Sequence, residues 1–131
     1  MSQYNIPQLV YKALKDAKIN VFFAGQHSGD VTEPYVAVKM GTSSPYLDLS
    51  SNIDYINLYC YVPKNQYSKL VNYVAQIEQV LIDNLYPTVK CINERTEPFF
   101  DDTCKGWMQR TMFRNIRKVD SDLYRKTKKE E

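Results

Sequence analysis

A chain of 131 residues and 15.3 kDa is long enough to close one hydrophobic core and too short for several. With 44% hydrophobic residues, 24% charged residues and a net charge of +2, it has the make-up of a globular protein and not of a disordered one. No run reaches the roughly 18 apolar residues of a membrane span, and Met1-Ser2-Gln3-Tyr4-Asn5 lacks the basic and apolar regions of a signal peptide, so a membrane protein, a secreted precursor and a large multidomain enzyme are not expected.

The first segment has helical periodicity. Ile6, Leu9, Val10, Ala13, Leu14 and Ala17 fall on one stripe, with Lys12, Lys15 and Asp16 on the other side. Asn5 suits the N-cap, and Pro7 lies in the first turn, where its missing N–H costs nothing.

Strands follow. Ile19 to Ala24 is short, apolar and partly β-branched, and Gly25 to Pro34 is a polar loop expected to end it. Tyr35 to Met40 alternates, Val36 and Val38 on one face and Tyr35 and Ala37 on the other. Gly41 to Asn52, rich in Ser and Thr and holding Pro45, reads as a loop. Ile53 to Val62 gives the clearest alternation, with Ile56, Leu58, Cys60 and Val62 inward and Tyr55, Asn57, Tyr59 and Tyr61 outward, and Pro63 stops it.

A second helix is expected from Asn65 or Ser68, either a good cap, to Leu85. Leu70, Val74, Ile77, Leu81 and Leu85 form its inner stripe, and Pro87 ends it. Thr88 to Thr96 reads as a strand and Glu97 to Gly106 as a connection carrying Phe99 and Phe100. Trp107 to Val119 fits a helix through Met108, Met112, Ile116 and Val119. As a strand it shows Met108, Arg110, Met112, Arg114 and Ile116 on one face and Thr111, Phe113 and Asn115 on the other. The preceding Gly106 favours the strand.

The order helix, three strands, helix, two strands implies an α+β fold, a mostly antiparallel sheet of about five strands with two helices packed on one face. Residues 1–119 form the single domain, followed by a basic, flexible tail over 120–131. Two helices cover one sheet face only, so the other is wet or covered by another subunit.

Catalytic residue types are scarce, with 4 glycines, 1 histidine and 1 tryptophan against 11 tyrosines. His27, Ser28 and Asp30 crowd one loop, whereas acyl-transfer triads converge from separate places; the trio reads as a polar turn. Asp101 and Asp102 read as a solvated acidic turn, without further ligands at metal-binding spacing. No phosphate loop, dinucleotide fingerprint or nucleophile elbow is present. Cys60, Cys91 and Cys104 are an odd count without a paired spacing, which argues against a disulfide framework, and with His27 they do not make a zinc set. No enzyme activity, cofactor or metal is expected.

The surface residues point to contact instead. Tyr55, Tyr59 and Tyr61 combine apolar area with a polar tip, as interface residues do. Phe99, Phe100 and Trp107 are the next candidates. Charge is lopsided: Lys105 onward carries nine Lys/Arg and four Asp/Glu, a balance of +5, while residues 1–104 sum to −3, which suits head-to-tail attraction and places Arg110, Arg114 and Arg117 at contacts. A sheet that binds single-stranded nucleic acid is the competing expectation, although Asp54 and Asn57 stand where a basic signature would.

The succession of the leading helix, "EPYVAVKMGT", a Ser-rich loop, "IDYINLYCYVPK", the helix "YSKLVNYVAQIEQVLIDNL" and the arginine-bearing "QRTMFRNIRKV" resembles the tail terminator proteins of long-tailed bacteriophages, also described as tail-completion or head–tail joining proteins. The resemblance spans about residues 5–120. It implies a subunit of a homo-oligomeric ring, commonly a hexamer, in the tail neck of the virion and assembled in the host cytoplasm. One side of the ring caps the tail tube protein, the other docks on the head-connector or stopper protein, and double-stranded DNA passes through the lumen. No membrane is involved. Heterologous contacts build such rings, and the loops 25–34 and 41–52 are expected at the axial contacts. Another head–tail connector component is the nearest alternative.

Overall fold

A computed structural model describes residues 6–45 and 51–118. The expected cap at Asn5, the tip of the Ser-rich loop and the basic tail over 120–131 lie outside the described residues. The elements run α1 (Ile6–Asp16), β1 (Val21–Phe23), β2 (Tyr35–Pro45), β3 (Ser51–Pro63), α2 (Tyr67–Leu85), β4 (Lys90–Arg95), β5 (Phe99–Asp101) and β6 (Gly106–Lys118). The strands form one sheet in the order β1-β2-β3-β6-β4, with β5 also beside β6. β1 and β2 are parallel and every other pair is antiparallel. The fold is α+β, with both helices on one face.

The alternation in β3 decides which face that is. Ile56, Leu58, Cys60 and Val62 are fully buried and meet Val36 and Val38 of β2 and Val21 of β1. Leu70, Val74, Ile77 and Leu81 of α2 and Ile6, Val10 and Leu14 of α1 close over them. Burial of these side chains is the main stabilising term. Burial pushes the Cys60 thiol far above its ordinary range, so this cysteine is an inert part of the core.

Helix α1 ends in a Schellman-type turn. The Ile19 N–H donates to the Leu14 carbonyl at 3.0 Å and the Lys18 N–H to the Lys15 carbonyl at 2.9 Å. Lys18 takes φ 64°, the left-handed position usually given to glycine, and the buried Ile19 secures the turn against the core.

Three expectations need correction. The segment Gly41 to Asn52 is not a loop throughout: β2 runs on to Pro45 and β3 begins at Ser51. Pairing to the long β3 overrides the loop-like composition, and a bulge between Met40 and Ser43 absorbs the irregularity. Gly41 fits that bulge, since a Cβ there would stand 2.9 Å from Asn57 Nδ2. Second, Phe99–Asp101 is a sixth strand, because the connection folds back in register on Gly106–Met108. Third, α2 uses neither Asn65 nor Ser68 as its cap. A 3₁₀ turn over Lys64–Gln66 leads into it, and Gln66 holds the cap position without a side-chain bond.

The strand reading of the last segment stands. β6 pairs residue for residue with β3, from Ser51↔Lys118 to Pro63↔Gly106. Its mixed composition has a local cause. On the helix side the buried Thr111 hydroxyl donates to Glu78 of α2 at 2.5 Å, and Gln109 donates to the Thr96 carbonyl at 2.9 Å. Thr111 and the Gln109 amide N–H of that row are thus paired, while Gln109 Oε1 has no partner among the described residues.

Candidate assembly surface

The second sheet face is built by the outward residues of β2, β3 and β6. Register places Tyr59 opposite Arg110 and Tyr55 opposite Arg114, with Asn57 and Met112 between them. Lys90 of β4 lies opposite Arg114, and Lys39 of β2 opposite Asn57. The middle of this face is thus tyrosine and cation in alternation.

One end of the face is covered by the chain itself. The loop before β2 folds back so that His27 stacks on Tyr35 with centroids 4.0 Å apart, and Tyr35 stacks on Tyr61 at 4.8 Å. Phe22 meets His27 and Tyr35 edge-on at 5.2 and 5.5 Å. Burial pushes the Tyr35 and Tyr61 phenols above their ordinary range, so both stay neutral. The same loop inserts Val31 against Gly106, and the Val31 N–H donates to the Cys104 carbonyl at 2.8 Å. His27 therefore belongs to an aromatic stack, which the reading of a polar turn did not anticipate. An aromatic spacing in sequence gives no hint of it, because the loop must fold over before the rings meet.

The uncovered part holds a concavity of about 580 Å³ between β2 and β4, its floor made by Tyr55, Asn57, Tyr59, Arg110 and Met112 and its rim by Lys39, Gly41 and Glu94. Two buried polar atoms at the floor, Asn57 Oδ1 and Arg110 Nε, have no hydrogen-bond partner among the described residues. Asn57 is only 9% exposed. One of these atoms accepts and the other donates.

The remaining residues expected at contacts divide between the two faces. Phe99 stands beside Met108 at the rim of the open face and is 47% exposed. Phe100 and Trp107 lie on the helix side, edge-on to each other at 5.4 Å, with Tyr67 edge-on to Trp107 at 4.6 Å. The Trp107 indole N–H donates to the Lys64 carbonyl at 3.2 Å, which ties β6 to the start of α2. Phe100 and Trp107 thus share one aromatic cluster with Tyr67 and are separated from the tyrosines of the sheet. Arg117 pairs with Asn52 in β6, and its side chain lies outside the described residues.

Groups with chemical potential are scattered. Asp101 accepts from the Thr103 hydroxyl and N–H at 2.5 and 3.0 Å, and these bonds hold its carboxyl below the usual carboxylate range. It is the turn between β5 and β6. Cys91 and Cys104 are free thiols, both pushed up by burial. Among the described residues no three His, Cys, Asp or Glu side chains gather as metal ligands, and no helix is long and apolar enough to cross a membrane. The arrangement brings tyrosine, arginine and lysine side chains together on one sheet face. No protein-family model matches the chain, and no curated protein sequence matches it.

Proposed function

We propose that the protein is a virion structural subunit, a tail terminator that assembles into a ring, caps the tail tube and joins it to the head connector while leaving a lumen for DNA. The reading rests on the sequence resemblance and on one structural observation: among the described residues, part of a sheet face rich in tyrosine and arginine is covered by neither helix nor loop. Exposed surfaces of this make-up are contact surfaces. The arginines belong at subunit or connector contacts. A lumen through which DNA slides is poorly served by them, because each neutralised phosphate adds affinity.

The test is direct. Purified protein is measured by light scattering and imaged alone and with isolated tail tubes. Rings, either free or seated on tube ends, are the expected result. A protein that neither oligomerises nor binds tube ends is not a terminator.

A second reading has its own observation. The register pairs Tyr55 with Arg114 and Tyr59 with Arg110, which sets rings beside cations as a single-strand platform does. Oligonucleotide binding that survives physiological salt, without ring formation, is the outcome that favours it.

A further inference from the structure

We propose that residues 27–33 form a strap that opens as a unit while the sheet stays folded, and so switches Tyr35 and Tyr61 between a covered and a presented state. The inference holds whatever partner the sheet face meets, and it does not rest on the ring reading.

The strap is held at both ends and at one point between. At its start the Gln26 N–H donates to the Phe23 carbonyl at 3.0 Å, and the Phe23 N–H donates to Gln26 Oε1 at 2.9 Å. At its end Asn20 Nδ2 donates to Glu33 Oε1 at 2.6 Å, an exposed bond. In between, the Val31 N–H to the Cys104 carbonyl is the only backbone hydrogen bond made by residues 27–34 among the described residues. Val31 is also the only buried residue of 24–34. Its side chain fills the space over Gly106 in which a Cβ has no room. One aliphatic plug and one backbone bond therefore carry the closed position, helped by the stacking of His27 on Tyr35.

The backbone on both sides of His27 is free to turn. Gly25 and Gly29 sit at φ 87° and 89°, and nothing lies within 4 Å of where a Cβ would stand. Glycine takes positive and negative φ about equally readily, so these two positions serve as pivots. The sheet beneath is built differently. Strand β3 is paired on both sides, and its inward row Ile56, Leu58, Cys60 and Val62 is fully buried. Segments with few buried apolar contacts and few backbone bonds open at lower free energy than paired core strands.

Opening uncovers a defined surface. Tyr35 is only 6% exposed and stacks on Tyr61, which shares the outward row of β3 with Tyr59 and Tyr55. Lifting the strap removes the His27 ring from Tyr35 and the Val31 plug from the start of β6. The row of tyrosines on the open face then runs on to the end of β3. The closed strap is thus an inhibitory contact built into the chain.

Hydrogen exchange on the full chain tests the opening. The Val31 amide is expected to exchange at least about 100-fold faster than the Leu58 amide in the middle of β3, with little dependence on low urea. Equal rates and equal urea dependence at the two sites mean that the strap opens only with the whole fold, and overturn the proposal. Val31→Ala, which removes buried methyl groups, is expected to speed exchange at position 31 about ten-fold. Nitration of Tyr35 by tetranitromethane, located by mass spectrometry, is expected to rise by a similar factor. Faster exchange without faster nitration of Tyr35 overturns the role of the strap as its cover.

Discussion

Lys18 shows how a single residue can work against its own conformation. At φ 64° its Cβ crowds the following carbonyl, a strain that the Schellman bonds and the burial of Ile19 outweigh. Lys18→Gly is expected to raise stability by about 0.5–1 kcal/mol, measured by urea unfolding; a loss of stability means that the lysine chain itself contributes. The ionisation of Glu78 also bears on stability. Burial pushes its carboxyl up, but hydrogen bonds from Arg95 and Thr111 outweigh that and hold it below its ordinary value of 4.5. A folded-state value lower than the unfolded one stabilises the protein above the unfolded value, and this contribution is lost as pH falls through the folded one. The difference in urea midpoint between wild type and Glu78→Gln is therefore expected to be largest near pH 7 and to shrink toward pH 3. An unchanged difference rules out the charge as its source.

Among the elements, β6 holds the molecule together. It pairs with β3 along its whole length and supplies the edge for both β4 and β5. Gly106 opens it at the point where the loop before β2 crosses the sheet. A Cβ there would stand 2.6 Å from Val31 Cγ2 and 3.0 Å from the Val62 carbonyl oxygen, distances that force the loop to move. Gly106→Ala is expected to cost about 1–3 kcal/mol and to loosen the His27–Tyr35–Tyr61 stack, visible as faster amide exchange at Val31. An ordinary surface-sized effect, under about 0.5 kcal/mol, contradicts the close packing. In the core, Leu58→Ala removes a fully buried side chain from the middle of β3 and is expected to cost about 2–5 kcal/mol by the same measurement.

For the whole molecule the unequal charge is the property to test. In the proposed ring, the positive middle of the open face and acidic groups of the next copy attract over a distance set by salt, about 30 Å at 0.01 M and about 8 Å at physiological strength. Ring formation is expected to weaken several-fold over that range, followed by sedimentation. Arg114→Glu, on the exposed side of β6, is expected to flatten the dependence. Assembly indifferent to salt removes electrostatics from the contact and leaves the tyrosines to carry it.

Local patterns are legible wherever one periodicity dominates. The two helices, the inward row Ile56, Leu58, Cys60 and Val62, and the outward tyrosines follow from spacing alone, because the period of 3.6 or 2 fixes which side chains share a face. Phe99–Asp101 and the extensions of β2 and β3 were hidden, because short or polar strand segments owe their structure to the strand they pair with and not to their own composition. The candidate surface divides the same way. Alternation put Tyr55 and Tyr59 on one face and Arg110 and Arg114 on another strand's face, but only the antiparallel register of β3 with β6 joined them on one surface. It was likewise the folding of the loop carrying His27 over the sheet that covered Tyr35 and Tyr61. Face is a property of local dihedral repeat, whereas neighbourhood across strands depends on which segments pair, and that is settled by the packing of the whole chain.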